Sequence, residues 1–307
     1  MRAKFQENLQ HNREQDPHLL QINAFQQTTA TISSKIHLAS RATEGIADSQ
    51  MTRKERKVFA RTAHEFADLL DDNDPRKISA NLYAQMPYFV HAMKILPDKR
   101  SKDYGKVWVD NATYERELAN KIRYNHALRD IISHNRRLQP DMLMKIVSSV
   151  ADRYRYTGKD KEQLLQNTEG ILYGMQHELA FESVLYYLPE GFEVLETDEI
   201  NDDSHGADYK VRCPNGTVVS IDVKASLELQ EEARYRQENR FARRGQKPPR
   251  NNLILYSGFD QHTDFPADEP WRPNHDAVMR VLPYVERELL LASGATPSEH
   301  KILAHSH

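Results

Sequence analysis

Residues 206–224, GADYKVRCPNGTVVSIDVK, have the alternation of apolar and polar side chains that is typical of two β-strands joined by a tight turn. Within the two strands, the odd-numbered positions are apolar or small, and the even-numbered positions are mostly polar. The odd-numbered strand residues, together with Ala225 just beyond this stretch, are Ala207, Tyr209, Val211, Cys213, Val219, Ile221, Val223 and Ala225. Odd residues must therefore pair with odd residues, because a slip by one residue moves every side chain to the opposite face.

The loop of this hairpin decides the register. A two-residue turn at Asn215-Gly216 would pair Pro214 with Thr217, which mixes odd with even positions. It would also place a proline in the ladder, where it cannot donate a hydrogen bond. A three-residue loop over 214–216, or a five-residue loop around it, restores the pairing of odd with odd.

Either loop places two acidic residues opposite each other. Asp208 would then face Asp222, with the two Cβ atoms about 5 Å apart. Carboxylates this close repel, so one of them holds a proton unless a cation lies between them. Lys224 follows Asp222 by two residues and lies on the same face of the strand. The register predicts a metal site, whereas the alternative role of Lys224 is an ion pair with Asp222 at the sheet edge.

A helix predicted over residues 171–188 offers a further acid. Glu178 and Glu182 interrupt its apolar stripe, where each either reaches water at the edge of the face or lies beside a cation. His177-Glu178 has the first two residues of an HExxH zinc motif, but the second histidine is replaced by Phe181 and the motif fails.

The order of predicted elements is α-β-β-β-α-β, an α+β or α/β arrangement with a mixed central sheet. After the helix come a strand at 192–197, a polar loop at 198–205, the hairpin, a charged helix at about 227–243 and an apolar strand at 253–256. In this order, residues 170–258 resemble the PD-(D/E)xK, or restriction-endonuclease-like, nuclease superfamily.

The acidic residues follow the pattern of that superfamily. Glu178 matches the helix acid, and Gly174 precedes it at the usual short spacing. Asp208 matches the first strand acid, although Ala207 stands where the family has proline. The segment Asp222-Val223-Lys224 matches the (D/E)xK element. The resemblance covers less than a third of the chain.

The resemblance implies a metal-dependent nuclease. Asp208 and Asp222, with the carbonyl of Val223, would hold one or two Mg²⁺ or Mn²⁺ ions, and Glu178 would complete the shell directly or through water. Lys224 would orient or deprotonate the attacking water, or stabilise the developing charge. We expect a DNA endonuclease. The alternatives are a metal-dependent ribonuclease and a non-catalytic scaffold that binds nucleic acid or protein.

The helix after the hairpin ends in arginines. Between residues 228 and 250, seven basic residues stand against four acidic ones. The candidate contacts to the phosphate backbone are Arg236, Arg240, Arg243 and Arg244. The alternative is that these cations compensate the helix dipole.

Residues 1–158 predict a helical accessory domain, and residues 159–307 the nuclease-like domain. Thr52 and Glu55 form a capping-box pattern, and helices are expected to about 70, over 78–95, over 112–134 and over 140–155, with a charged linker at 99–105. This domain would select a substrate or a partner, either another protein or a second copy of the chain.

Composition excludes several classes. Charged residues make up 28% of the 307 residues, and no apolar run approaches the length of a membrane span. The single cysteine, Cys213, excludes an intramolecular disulfide, and the polar N-terminus lacks a signal core. We expect a cytoplasmic protein without a membrane partner. The net charge of −3 means that DNA binding requires a local basic surface.

Overall fold

The computed structural model describes residues 27–28, 30–31, 51–71, 74–96, 109–195 and 207–294. The chain divides into two compact units, Met1–Ile171 and Leu172–His307. The sequence placed this boundary earlier, between residues 158 and 159. The predicted linker at 99–105 and the polar loop at 198–205 lie outside the described residues.

The first unit is built from helices whose ends carry recognisable signals. They are α1 (Arg53–Asp68), α2 (Pro75–Ile95), α3 (Asn111–His134), α4 (Pro140–Arg153) and the first part of α5 (Gly158–Tyr186). Thr52 and Glu55 form the expected capping box at α1. Asp74 and Asp110 accept hydrogen bonds from the first turns of α2 and α3. The four helices predicted before residue 158 are therefore confirmed.

Aromatic side chains fill the core of this unit. Phe89 and Tyr124 stack with ring centroids 4.0 Å apart, and the buried Tyr124 hydroxyl pairs with that of Thr168 at 2.9 Å. Tyr154 donates a hydrogen bond to the carbonyl of Tyr83 at 2.5 Å. The aromatic rings supply a large apolar area while their hydroxyl groups retain partners, which is how buried tyrosines are usually accommodated.

The second unit contains the remainder of α5 and a four-stranded sheet. Its elements are β1 (Glu193–Leu195), β2 (Tyr209–Arg212), β3 (Val218–Lys224), α6 (Leu227–Ala242), β4 (Asn252–Tyr256) and α7 (His275–Ser293). The sheet order is β1-β2-β3-β4, with antiparallel pairs up to β3 and a parallel pair between β3 and β4. A parallel pair requires a crossover connection, and α6 lies in that connection.

The predicted hairpin register is confirmed. Tyr209 pairs with Ile221 and Val211 with Val219, so that odd residues face odd residues. The Cys213 N–H donates to the Thr217 carbonyl at 2.8 Å, which closes a three-residue loop. Gly216 ends that loop at a φ of 82°, a conformation that favours glycine.

The odd face of the sheet forms the core of the second unit. Side chains of β2, β3 and β4 pack there against α5 and α7, and the buried set includes Phe181, Val184, Val211, Ile221, Leu255, Val281 and Leu289. α7 was not anticipated from the sequence, although Val278, Val281, Val285 and Leu289 have helical spacing. It covers the apolar face that the hairpin and β4 expose.

No helix in the described part of the chain is both long enough and apolar enough to cross a membrane.

Gly258 provides a test of how closely α7 packs on the sheet. Its φ is +78°, and a Cβ atom there would lie 3.0 Å from Cγ2 of Val281. Gly258→Ala should cost about 1–2 kcal/mol for the left-handed backbone and a further amount for displacing Val281. Gly245→Ala is the matched control, because Gly245 has a φ of +65° and a Cβ atom added there would meet no described atom within 4 Å. Urea unfolding should show the larger loss at Gly258, and equal losses would contradict the close packing.

Candidate active site

The even face of the sheet carries the polar residues of the hairpin. Ser220, Asp222 and Lys224 alternate with the buried residues of β3 and lie on its opposite side. They line a cavity of about 300 Å³. The same alternation that fills the core with odd residues therefore delivers the aspartate and the lysine together to one cavity.

The cavity is rich in positive charge. Four basic side chains line it, Lys210, Lys224, Arg236 and Arg240, together with a single carboxylate, that of Asp222. Ser220, Gln237 and Asn252 add polar groups, and Ala207, Ile221, Ala233, Leu253 and Ile254 supply the apolar part of the lining. An excess of cations in a partly closed space favours an anionic ligand such as a phosphate group.

Helix α6 forms one wall of the cavity because its first turns are anchored to the sheet. Ser226 caps the helix by accepting a hydrogen bond from the Leu229 N–H at 3.2 Å. Gln230 and Arg234 both donate to the carbonyl of Ile254, at 2.8 and 3.1 Å. All four arginines at the end of the helix are exposed, but Arg236 and Arg240 line the cavity, whereas Arg243 and Arg244 do not.

Asp208 lies at the start of β2 and bonds to the backbone of β3. Its N–H donates to the Ile221 carbonyl at 2.8 Å, and its carboxylate accepts from the Val223 N–H at 2.6 Å. The carboxylate thus takes the place of a backbone acceptor in the ladder. This bond holds Asp208 beside Asp222, as the register predicted.

The two aspartates have raised pKa values. Loss of hydration is the largest cause at Asp208, and the negative charges of Glu178 and Asp222 add to it, so that its pKa lies well above 3.8. Burial also raises the pKa of Asp222, although the Lys224 ammonium and a hydrogen bond with Asp208 oppose the rise. Burial and the neighbouring negative charges thus favour the protonated form of Asp208.

Lys224 forms an ion pair with Asp222 along the same strand. The two side chains are 26% and 19% exposed, so the pair is partly shielded from water. This contact is the alternative role that the sequence left open for Lys224. It leaves the ammonium and the carboxylate at the cavity wall, where both also face any ligand that enters.

Glu178 and Glu182 occupy different environments. Glu178 is half-buried, and its charge contributes to the raised pKa of Asp208, whereas Glu182 is exposed. Gly174 precedes Glu178 by about one turn of α5. A Cβ atom there would meet, among the described residues, only Oε1 of Glu178 at 3.9 Å, so no close approach of the helix to the sheet depends on this glycine.

The donor set suits a hard cation in part. Asp208 and Asp222 offer the two carboxylates with which proteins commonly bind Mg²⁺, whose remaining ligands are water and substrate phosphate. No group of three acidic, histidine or cysteine side chains in the described residues is arranged to hold a metal by itself. The residues therefore fit a two-carboxylate site, with Glu178 near enough for its charge to raise the pKa of Asp208.

Two buried polar residues beside the site could not be found from the sequence. His177 adjoins Glu178, and its Nδ1 pairs with the Ser257 hydroxyl at 2.7 Å. Burial lowers the pKa of His177 to about 4, so the imidazole is neutral at physiological pH. The residues are 80 positions apart, and the only sequence signal was a histidine that the failed zinc motif left unexplained.

Comparisons of the chain with protein-family models, with curated proteins and with solved structures found no match. Function is therefore inferred from the geometry of these residues.

The raised pKa of Asp208 predicts a pH-dependent stability in EDTA. An acid whose folded pKa lies above its unfolded value stabilises the fold below the unfolded pKa, and this stability is lost as pH rises through the folded pKa. Asp208→Asn keeps an acceptor for the Val223 N–H and carries no charge. Its melting temperature should therefore exceed that of the wild type at pH 8, and the difference should shrink towards pH 4.

Asp260→Asn is the control of opposite sign. Asp260 accepts hydrogen bonds from the His262 and Thr263 N–H groups, which hold its pKa below 3.8. Its replacement should lower the melting temperature at neutral pH more than in acid. A pH-independent difference for Asp208→Asn would show that this carboxyl is not strained by burial and neighbouring charge.

Proposed function

We propose that this protein is a metal-dependent nuclease that hydrolyses phosphodiester bonds, acting as an endonuclease on DNA. The observation that carries the proposal is the cavity, in which Asp222 and Lys224 of β3 meet Arg236 and Arg240 of α6. A nuclease requires acidic oxygens for a divalent cation close to cations for the substrate phosphates. Asp222 brings one carboxylate into the cavity, Asp208 adjoins it outside the lining, and Arg236 and Arg240 supply cations.

The fold is proposed to be a restriction-endonuclease-like core. The described chain has an α+β second unit with the expected order of helix, three strands, helix and strand, and its sheet is mixed. The acidic residues of the motif occupy corresponding places, with Glu178 on the helix, Asp208 at the start of β2 and Asp222 on β3. The additional helix α7 packs on the face opposite the cavity.

Each side chain has a chemical task in this proposal. A Mg²⁺ or Mn²⁺ ion bound by Asp208 and Asp222, with the Val223 carbonyl, would neutralise charge on the scissile phosphate and lower the pKa of a bound water. Lys224 leaves its ion pair with Asp222 and donates to the oxygen that becomes negative, or orients the water. Arg236 and Arg240 bind the neighbouring phosphates, and Glu178 holds a water-mediated ligand position.

Two alternatives keep the same fold. A ribonuclease would use the same residues, because the described lining of the cavity contains no feature that selects one sugar over the other. A non-catalytic scaffold is favoured by one observation, the ion pair between Lys224 and Asp222, which neutralises the carboxylate without a metal. In that case the basic wall of the cavity would bind nucleic acid or an acidic protein segment.

Cleavage assays test the proposal directly. The full chain should cut labelled DNA in Mg²⁺ and not in excess EDTA, and duplex, single-stranded and branched DNA should be compared with RNA. Asp222→Asn should lower the rate by at least about 10²-fold, the usual effect of removing an essential electrostatic group. Glu178→Gln should also lower it, whereas Glu182→Gln, one turn along α5, should not.

These variants also discriminate between the alternatives. Cleavage of RNA but not DNA would establish the ribonuclease. Tight binding without cleavage of any substrate, unaffected by EDTA, would establish the scaffold. Loss of activity in Glu182→Gln but not in Glu178→Gln would place the helix acid one turn away from the position proposed.

The arginines predict a salt-dependent affinity. Each phosphate contact to duplex DNA contributes about 0.9 to the slope of log affinity against log salt. Arg236→Gln with Arg240→Gln should therefore reduce the slope by about two units, and Arg243→Gln with Arg244→Gln by a similar amount. Arg287→Gln is the control, since this exposed arginine lies on α7, across the sheet from the cavity.

The two pairs of arginine variants distinguish phosphate binding at the cavity wall from phosphate binding at the C-terminal end of α6. An unchanged slope for Arg243 and Arg244 would assign them to compensation of the α6 dipole. An unchanged slope for Arg236 and Arg240 would remove the cavity as the phosphate-binding surface.

A further inference from the structure

Three consecutive residues of α5 are hydrogen-bonded to three different segments of the second unit. The Gln176 side chain donates to the Pro270 carbonyl at 2.7 Å. His177 Nδ1 pairs with the Ser257 hydroxyl at 2.7 Å. The Tyr209 hydroxyl donates to the carbonyl of Glu178 at 2.8 Å. The rotation and height of this turn of the helix, which carries the candidate metal-site acid, are thereby fixed.

Ser257 connects this turn to the strand that carries Lys224. It is the first residue after β4, and its N–H donates to the Lys224 carbonyl at 2.9 Å. Its side chain pairs in turn with His177, the residue before Glu178. Ser257 is fully buried and His177 is 1% exposed, so water does not compete for this bond. Ser257 thus links the residue before Glu178, through its side chain, to the backbone of Lys224, through its N–H.

In its buried position, the imidazole of His177 stabilises the fold less than an apolar ring would. Nε2 of His177 has no hydrogen-bond partner in the described part of the chain. A buried polar atom without a partner destabilises a fold, and an apolar ring would avoid this loss. The edge-to-face contacts of the ring with Tyr173 at 4.8 Å and Phe265 at 6.1 Å are ones that phenylalanine also makes. What histidine adds over phenylalanine is its bond to Ser257.

We propose that His177 and Ser257 are positioning residues of the nuclease site, which hold Glu178 in place relative to Asp208 and Lys224. This inference rests on the proposed function. The bond acts through the backbone on both sides, because His177 precedes Glu178 in α5 and Ser257 bonds to the Lys224 carbonyl. A catalytic group displaced by about 1 Å loses roughly 10²-fold in rate, so a distant hydrogen bond is able to control the reaction.

The test compares variants that remove or keep the bond. Ser257→Ala removes the hydroxyl, and His177→Phe keeps an aromatic ring but removes the nitrogen that pairs with it. His177→Asn is the conservative variant, because its side-chain amide places a polar atom near the position of Nδ1. Tyr124→Phe is the structural control, since it removes one buried hydroxyl bond, that to Thr168, in the first unit.

Two measurements separate positioning from stability. Steady-state cleavage gives kcat and KM, and titration calorimetry gives the Mn²⁺ affinity of the protein without substrate. Ser257→Ala and His177→Phe should lower kcat by about 10–100-fold, with KM changed little, and should weaken Mn²⁺ binding. His177→Asn should recover part of both losses. The Ser257→Ala/His177→Phe double variant should be no worse than either single variant, because both remove the same bond.

The outcomes distinguish this inference from the proposed function. Wild-type cleavage with both variants resembling Tyr124→Phe in kcat and Mn²⁺ affinity would overturn the positioning role and leave the nuclease intact. Additive losses in the double variant would also overturn it. A wild-type protein that neither binds Mn²⁺ nor cleaves any nucleic acid would overturn the proposed function and the positioning role with it.

Discussion

The pairing of odd with odd residues between β2 and β3 is the constraint on which the second unit depends. A three-residue loop closed by the Cys213 N–H and the Thr217 carbonyl sets this pairing. Because side chains alternate across a strand, one register assigns Val211 and Ile221 to the core and Asp222 to the cavity. A slip by one residue would bury Asp222 and Lys224 under α7 and expose the apolar side chains. The energy of the core therefore enforces the geometry of the site.

The close carboxyl groups on the polar face of the sheet destabilise the fold, and the stability of the core must outweigh this. Asp208 and Asp222 lie close to each other, and the charge of Glu178 acts on Asp208; Asp208 accepts a hydrogen bond from the Val223 N–H, and Asp222 forms an ion pair with Lys224. Carboxyl groups kept close in spite of their mutual repulsion are poorly explained by stability alone, because apolar residues would pack on a sheet with less strain.

Features with local causes were predictable from the sequence, and those with distant causes were not. The helix ends follow from Thr52, Glu55 and Asp74, and the register follows from alternation within residues 206–224. The cavity depends on the hydrogen bonds of Gln230 and Arg234 to the Ile254 carbonyl, and no local sequence pattern predicts these bonds. The same holds for His177 with Ser257. Helix α7 is predictable in principle from the helical spacing of its apolar residues, although it carries none of the functional motif residues.

The packing of α6 on the sheet explains why only some of its arginines line the cavity. Gln230 and Ala233 are the buried residues of the helix, and positions three or four further along lie above them on the same side. That stripe brings Arg236, Gln237 and Arg240 to the cavity. The helix ends at Ala242 and Arg243 is its C-cap, so Arg243 and Arg244 lie beyond the last helical turn. Arg243 and Arg244 consequently remain outside the wall, at the end of α6 where the dipole is negative. Arg236 and Arg240 thus line the cavity that contains Asp222, whereas Arg243 and Arg244 lie outside it.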